Sequence, residues 1–438
     1  EKDFPDATVI KLEQNYRSTQ TIVNAANSVI AKNSNRLKKE CFSQGDVGEK
    51  VKVIKAFTEQ DEGSLVAASI ANRIYTDKVP YDSFAVLYRT NAQSRVIEEM
   101  LRKRNLPYKI YAGHSFYERA EVKDMLAYFR LLTNPNDDEA FRRVVNVPAR
   151  GIGETSMKYL GEVAKAEGCS LWRAVSSPKC EEFGLKSAAL NKIKSFASII
   201  AFVRERVETT DAYTIAVEIA NASGLITSLK NENTIEAQAR VENIEELLSS
   251  VNEFIEDTQA SAEETGDEVG TVTLQSYLEN VALISDLEIA EDKKDDGNRI
   301  SLMTVHSSKG LEFPYVYIIG MEENLFPSVG AMSESDVEEE RRLFYVAMTR
   351  AEKVVSVSYA QSRFKWGQHT SNPPSRFLKE IDPRYLDHPI KEEKPVTSFG
   401  RFGDDDDDFL PSWSQRSKPR QPERVVVPPP RMSRPVRE

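Results

Sequence analysis

Basic side chains concentrate on the polar loops that connect short apolar runs of this sequence. The set comprises Arg17, Arg89, Lys309, Arg341, Arg342 and Arg350. A guanidinium group binds two phosphate oxygens at once and stays charged at neutral pH, so arginines on such loops suit phosphate recognition. Tyr16 directly precedes Arg17, and this pair suits a nucleobase stacked on an aromatic ring with its phosphates nearby.

Other kinds of catalytic site find no support in the sequence. It shows no pair of catalytic-type acids, no Ser/His/Asp set and no cluster of metal ligands. His306 is a lone histidine in its loop, which is typical of a hydrogen-bonding residue rather than of a catalyst. The residues alone therefore indicate phosphate binding.

The segment VPARGIGET, residues 147–155, is a second candidate anion site. A Gly-x-Gly turn that leads into a helix exposes backbone N–H groups at the positive end of the helix dipole. The same turn is also typical of a simple connection between two helices. The sequence alone leaves both interpretations open.

Short apolar runs predict the strands that position these loops. The predicted strands are Val51–Phe57, Phe84–Tyr88, Leu302–Val305, Tyr315–Ile319 and Val354–Tyr359, with a further one under way at Val9–Leu12. Helical periodicity follows several of them, as in Glu62–Tyr75, Val96–Arg104 and the segment around Leu343. Runs that are apolar almost throughout are typical of parallel strands buried on both faces. An α/β sheet is therefore expected.

The middle of the chain has a different pattern, with hardly any strand signal. Helical periodicity recurs in Glu121–Leu132, Glu139–Asn146, Thr155–Ala166, Leu190–Thr209, Ala212–Ala220, Glu236–Asp257 and Thr273–Ile284. We expect a helical domain inserted into the α/β domain, with Gln259–Gly270 as a solvated acidic loop. The predicted division is 1–104 and 299–390 for the α/β part, 105–298 for the insertion and 391–438 for a tail. The tail is rich in Pro and Arg, contains the acidic run Asp404–Asp408, and is predicted to be disordered.

Composition sets broad limits. A chain of 438 residues exceeds the size of one hydrophobic core, so at least two domains are expected. The net charge of −11 does not exclude a local basic groove for nucleic acid. The three cysteines show no CxxC spacing, which disfavours a disulfide framework or a zinc site and favours the cytoplasm. No apolar run is long enough to predict a membrane span or a signal peptide.

Five motifs in order carry a resemblance to a known family. They are LEQNYRST, AVLYRTNAQSR, PARGIG, TVHSSKGLEFPYVYIIG and EEERRLFYVAMTRAEK. In this order and spacing they resemble the C-terminal half of a UvrD/PcrA/Rep-type superfamily-one DNA helicase, from about Val9 to Tyr385. The resemblance implies a RecA-like second motor lobe with a large inserted all-α subdomain, which would clamp ATP against a first lobe.

The resemblance also implies roles at an ATP site. Tyr16 would stack on the adenine, and Arg17 and Arg350 would reach the γ-phosphate as arginine fingers. Glu312 would contact the sugar side of the nucleotide, and Lys309 would lie close to the interface between the lobes. Losing either arginine should abolish coupling, because such a finger is worth roughly 10³–10⁵ in rate.

A second set of residues would contact DNA. The resemblance places Arg89, Asn91, Thr304 and His306 on the track of the single strand. It assigns backbone donors for duplex phosphates to Gly151, Ile152, Gly153 and Thr155. The implied partners are single-stranded and junction DNA, with repair or transcription proteins reached through the tail.

The chain departs from the family pattern in one respect. No Gly is followed by Lys, so it contains no GxxxxGK[ST] phosphate loop, and the acidic Mg²⁺-binding motif is missing too. ATP with Mg²⁺ is the expected cofactor, with the metal ligands on a first lobe that we expect upstream of Glu1. By itself the chain should not hydrolyse ATP.

Two other functions compete with the truncated 3′–5′ helicase. One is a stand-alone module that binds DNA or a protein partner and has no ATPase activity. A nuclease–helicase subunit is the other, but it would need a nuclease domain after the motor, and the short tail offers none.

Overall fold

The computed structural model describes residues 11–34, 40–266, 270–292, 297–328, 330–331, 333–365 and 368–388. The predicted disordered tail at 391–438 lies outside the described residues, as does the start of the strand predicted at Val9. The described residues form one compact unit.

Ten strands are numbered along the chain. They are β1 (Gln14–Asn15), β2 (Phe42–Ser43), β3 (Lys52–Ala56), β4 (Phe84–Tyr88), β5 (Tyr108–Ile110), β6 (Ile300–Thr304), β7 (Phe313–Ile318), β8 (Ala351–Ala360), β9 (Arg363–Lys365) and β10 (Gln368–Thr370). The main sheet has 6 strands in the order β3-β8-β7-β4-β6-β5. All of its pairs are parallel. We call the side where these strands begin the amino edge and the side where they end the carboxyl edge.

Five helices flank the sheet. They are α1 (Gln20–Ile30), α2 (Glu59–Asp77), α3 (Ser94–Lys103), α13 (Glu334–Met348) and α14 (Arg376–Glu380). One face of the sheet shares a hydrophobic core with α1, α13 and α14. The opposite face shares one with α2 and α3. Along β4, Ala85 and Leu87 belong to the first core whereas Val86 and Tyr88 belong to the second. Burial on both faces explains why these strands are apolar almost throughout.

The middle of the chain folds into helices around a third core. The helices are α4 (Ala120–Thr133), α5 (Asp138–Val144), α6 (Glu154–Glu167), α7 (Leu171–Ala174), α8 (Ser187–Arg204), α9 (Ala212–Ala222), α10 (Leu225–Asn231), α11 (Ile235–Thr265) and α12 (Leu274–Asp292). Large buried side chains such as Phe141, Phe196 and Leu247 belong to this core. The α/β fold with many helices therefore matches the expected class.

Two details differ from the sequence-based expectation. The sheet gains the edge strand β5, which lies beyond residue 104, where the first α/β part was expected to end. Three residues after a proline carry too little pattern to predict a strand, and pairing with β6 supplies the reason that β5 forms. The segment expected as an acidic loop from Gln259 continues α11 to Thr265. Its sequence QASAEET contains no Gly or Pro to end the helix.

Candidate functional site

The loop before α1 is fixed to the beginning of β8. The Asn15 side chain accepts hydrogen bonds from the backbone N–H groups of Arg17, at 2.8 Å, and of Ser18, at 2.9 Å. The buried Ser18 hydroxyl donates to the carbonyl of Ala351 at 2.6 Å. Since Ala351 begins β8, this loop and the preceding Arg350 lie together at the amino edge.

Arg17 and Arg350 meet at Thr349. Arg17 donates through Nη1 to the Thr349 carbonyl at 3.3 Å, and Arg350 donates through Nη2 to the Thr349 hydroxyl at 3.5 Å. Arg350 also donates to the carbonyls of Val346 and Leu311, both at 3.1 Å. Helix α13 and the segment that leads into β7 therefore hold Arg350, while the loop before α1 holds Arg17.

Glu312 supplies the negative charge beside these two cations. Its carboxylate forms an ion pair with Nε of Arg17. Burial lowers the pKa of the Arg350 guanidinium, the charge of Arg17 adds to this effect, and Glu312 opposes it. The side chains of Arg17 and Glu312 are 32% and 52% exposed. Two arginines around one accessible carboxylate form a site at which a phosphate chain can replace the carboxylate as partner.

The other members of the predicted nucleotide set lie nearby. Tyr16 is 86% exposed, and its hydroxyl donates to the Gln14 side chain at 2.8 Å. An exposed aromatic ring next to Arg17 is available for stacking. Lys309 is exposed on the loop that leads from β6 to Glu312. The structure thus brings Tyr16, Arg17, Glu312 and Arg350 to the amino edge, with Lys309 on the loop that leads to Glu312.

The residues predicted to contact single-stranded DNA lie at the opposite, carboxyl edge. Tyr88 and Thr304 are direct partners at the ends of β4 and β6. Arg89 and Asn91 follow the first of these strands, and His306 follows the second. The structure brings all four predicted residues to the same edge, because parallel neighbours end side by side.

Arg89 forms an ion pair with Glu340 at this edge. Its Nε lies 3.0 and 3.1 Å from the two carboxylate oxygens of Glu340, and its Nη2 lies 2.7 Å from one of them. Sequence analysis missed Glu340, because an acid within the run EEE of a helix is typical of a solvated face. The pKa of His306 is lowered, chiefly by partial burial and secondly by the charge of Arg89. The charges of Glu340 and Glu339 oppose this shift.

The Gly-x-Gly turn has one donor fewer than expected. The Asn146 side chain accepts from the backbone N–H groups of Arg150, at 2.8 Å, and of Ile152, at 3.0 Å. The backbone N–H of Ile152 is therefore already bonded, and Ile152 is 3% exposed.

The other residues of the turn leave room for a ligand. Gly151 has a φ of +67°, and Gly153 is the N-cap of α6 with open space around it. Thr155 lies in the first turn of that helix.

Arg150 holds this turn from inside. Its guanidinium donates to the carbonyls of Val144, Val145, Val147, Pro148 and Ser223 and to the Tyr128 hydroxyl, at 2.8–3.3 Å. Sequence analysis gave Arg150 no such role, because an arginine in a glycine-rich turn does not reveal whether it points inward. It stabilises the turn through these bonds and is only partly exposed.

Comparison with known proteins identifies the family to which this chain belongs. Residues 10–362 match the model of the UvrD-like helicase C-terminal domain, and the chain belongs to this family. The ATP-dependent DNA helicase PcrA of Staphylococcus aureus is 40% identical over 391 residues, which cover 89% of this chain and 51% of that protein. PcrA of Bacillus subtilis is 41% identical over 398 residues, with coverages of 90% and 52%. The chain thus spans about half the length of the curated relatives it matches.

A solved structure gives a weaker match. The C-terminal domain of a possible DNA helicase from a Lactobacillus aligns with 85% of this chain at a TM-score of 0.31 and 9% identity, which is too low to support an argument. Among the described residues, no cluster of His, Cys, Asp or Glu could hold a metal ion. Nor does any described helix combine the length and apolar character of a membrane span.

Proposed function

We propose that this chain is the C-terminal half of an ATP-dependent 3′–5′ DNA helicase and supplies its arginine fingers and much of its DNA track. The meeting of Arg17 and Arg350 at Thr349 supports this proposal most strongly. Two guanidinium groups on one accessible edge are suited to a triphosphate that a separate lobe presents. ATP dependence and action on DNA are properties that the relatives' names give to those proteins.

At the nucleotide, each residue has a distinct proposed task. Arg17 exchanges its ion pair with Glu312 for the γ-phosphate, which leaves the Glu312 carboxylate for the sugar hydroxyls. Arg350 remains held by the carbonyls of Val346 and Leu311 and stabilises the charge that develops in the transition state. Tyr16 stacks on the adenine, and Lys309 adds positive charge at the lobe interface. Mg²⁺ would neutralise phosphate oxygens and would be bound by acidic residues of the first lobe.

At the DNA, the proposed track follows the carboxyl edge. Arg89, Asn91, Thr304 and His306 contact the single strand, and the turn at Gly151, Gly153 and Thr155 contacts duplex phosphates. The ATP and DNA sites then lie at opposite edges of one sheet. Closure of the two lobes on ATP would therefore move the track as a body, which is what stepping along a strand requires. Free cysteines support a cytoplasmic location.

Strand displacement by the natural polypeptide that carries this sequence tests the proposal. We expect DNA-stimulated ATP hydrolysis and unwinding of duplexes with a 3′ single-stranded tail but not of those with a 5′ tail. Both substrates contain the same duplex, so each serves as the control for the other. Absence of DNA-stimulated hydrolysis would contradict the proposal and favour a binding module. Unwinding from the 5′ tail would contradict its polarity.

A further inference from the structure

We propose that Glu340 is a positioning residue that holds Arg89 for single-stranded DNA and links this contact, through α13, with Arg350. The inference rests on the proposed helicase function, which assigns Arg89 to DNA and Arg350 to ATP. It adds a residue to which neither the motifs nor the comparisons give a role, and a physical route between the two edges of the sheet.

The contact between Glu340 and Arg89 orients the guanidinium. Both carboxylate oxygens face the Nε–Nη2 side of Arg89, at 2.7–3.1 Å. Within the described part of the chain, no hydrogen bond engages the third nitrogen, Nη1. The Arg89 side chain is 21% exposed and that of Glu340 only 8%. Glu340 therefore fixes the Nε–Nη2 side of the guanidinium and leaves Nη1 for a phosphate.

Glu340 is itself held in place. Its carboxylate accepts from the backbone N–H of Ser328 at 3.3 Å and from the Ser328 hydroxyl at 3.4 Å. Ser328 lies in the segment that connects β7 with α13, so the carboxylate is tied to this segment as well as to its own helix. A buried carboxylate with these donors is a rigid support, because leaving it or Arg89 unpaired would be costly.

Helix α13 connects Glu340 with Arg350. The helix runs from Glu340 to its last residue, Met348, a rise of about 12 Å, and Arg350 follows two residues later. Arg341, the next residue of α13, forms a two-bond ion pair with Glu380 of α14 at 2.7 and 2.8 Å. Phe344 stacks on Phe377 of α14 with the ring centroids 5.9 Å apart. These contacts brace the helix, so a displacement of Glu340 would move its C-terminal end, where the Val346 carbonyl accepts from Arg350.

The neighbouring Glu339 provides a matched control. Its carboxylate lies on the solvent side of the same helix, is 65% exposed, and pairs with Arg342 at 2.6 Å. Glu339→Gln removes the same charge from α13 as Glu340→Gln does. Only the second substitution removes the charge that orients Arg89.

A double-mutant cycle on this 438-residue chain tests the positioning role. The affinity for a fluorescent single-stranded oligothymidine is measured for wild type, Glu340→Gln, Arg89→Met, the double variant and Glu339→Gln. We expect Glu340→Gln and Arg89→Met each to weaken binding about tenfold, and the double variant to bind like Arg89→Met alone. Glu339→Gln should bind like wild type. A purely structural role of Glu340 would not give this non-additivity.

Other outcomes overturn the positioning role. Wild-type affinity for Glu340→Gln would show that Arg89 needs no support, and tighter binding would show that Glu340 competes with DNA. Independent, multiplying losses in the double variant would show that Glu340 does not act through Arg89. If wild type itself binds no single-stranded DNA, the proposed function fails together with this inference.

The link to Arg350 is tested in the natural polypeptide at saturating DNA. We expect the ratio of ATP turnover with DNA to turnover without DNA to fall several-fold in Glu340→Gln, with the KM for ATP unchanged. Glu339→Gln should retain the wild-type ratio. An unchanged ratio in Glu340→Gln would overturn the link, whereas absence of stimulation in wild type would instead count against the proposed function.

Discussion

Arg17 and Arg350, far apart in the sequence, hydrogen-bond to two different groups of the same residue, Thr349. The Arg17 guanidinium donates to the Thr349 carbonyl at 3.3 Å, and the Arg350 guanidinium donates to the Thr349 hydroxyl at 3.5 Å. The loop before α1 reaches this point because the Ser18 hydroxyl bonds to the carbonyl of Ala351 at the start of β8. The order of strands in the sheet, and not proximity along the chain, creates the candidate phosphate site.

The 438-residue chain alone should bind single-stranded DNA and should not hydrolyse ATP. It contains no phosphate loop, so we expect turnover at background level. Its DNA affinity should fall steeply between about 50 and about 200 mM salt, because phosphate contacts release counterions. Phosphate release and fluorescence titration measure the two properties. Measurable turnover would contradict the first expectation, and salt-insensitive binding would indicate that base stacking carries the affinity.

Glu59 should make stability fall as pH rises. Burial raises the pKa of Glu59 from 4.5 to about 7. The charges of Glu246 and Glu253 add to this shift, whereas those of Arg363 and Arg95 oppose it. The unfolded chain therefore releases this proton at lower pH than the folded chain does. Between about pH 4.5 and about pH 7 the folded state binds more protons, so the free energy of unfolding decreases with pH.

Glu59→Gln removes this dependence. Relative to the variant, wild type should lose about 3 kcal/mol of its free energy of unfolding between about pH 5 and about pH 8. Urea unfolding at each pH measures the difference. Glu139→Gln is the control, since Glu139 is 86% exposed, and it should follow the wild-type curve. Parallel curves for wild type and Glu59→Gln would contradict the raised pKa.

Gly151 and Gly153 should respond differently to alanine. Gly151 has a φ of +67°, and a Cβ there would lie 2.7 Å from Nζ of Lys192. We expect Gly151→Ala to lower the free energy of unfolding by about 1–2 kcal/mol and to weaken duplex binding. Gly153 has a φ of −87°, and a Cβ added there would have no described atom within 4 Å. Gly153→Ala should therefore cost less, about 0.5 kcal/mol, because alanine is only a poorer N-cap than glycine.

Duplex binding and urea unfolding of the two variants decide this point. Equal losses of stability would contradict the assigned backbone conformation. Unchanged duplex binding in Gly151→Ala, with the turn destabilised, would contradict its role as a phosphate site.

The sequence predicts best what depends on local pattern. Phe84–Tyr88 is predicted with the bounds of β4, because a strand buried on both faces is apolar at every position. The loops at Arg17, Arg89 and Arg350 are recognised from their motifs. The strand β5 and the pairing of Arg89 with Glu340 are missed, because each forms through a partner distant in the chain. The inward orientation of Arg150 likewise depends on six acceptors brought together only by folding.

The steady-state ATP turnover of Arg17→Ala and Arg350→Ala, measured in the natural polypeptide with saturating single-stranded DNA, tests the central claim most directly. Arg384→Ala is the matched control, since this arginine is 77% exposed and pairs with Asp382, two residues away in the chain. We predict that kcat falls about 10³-fold or more in Arg17→Ala and Arg350→Ala and is unchanged in Arg384→Ala. Turnover within about threefold of wild type in both variants would contradict the claim that these two arginines complete the ATP site.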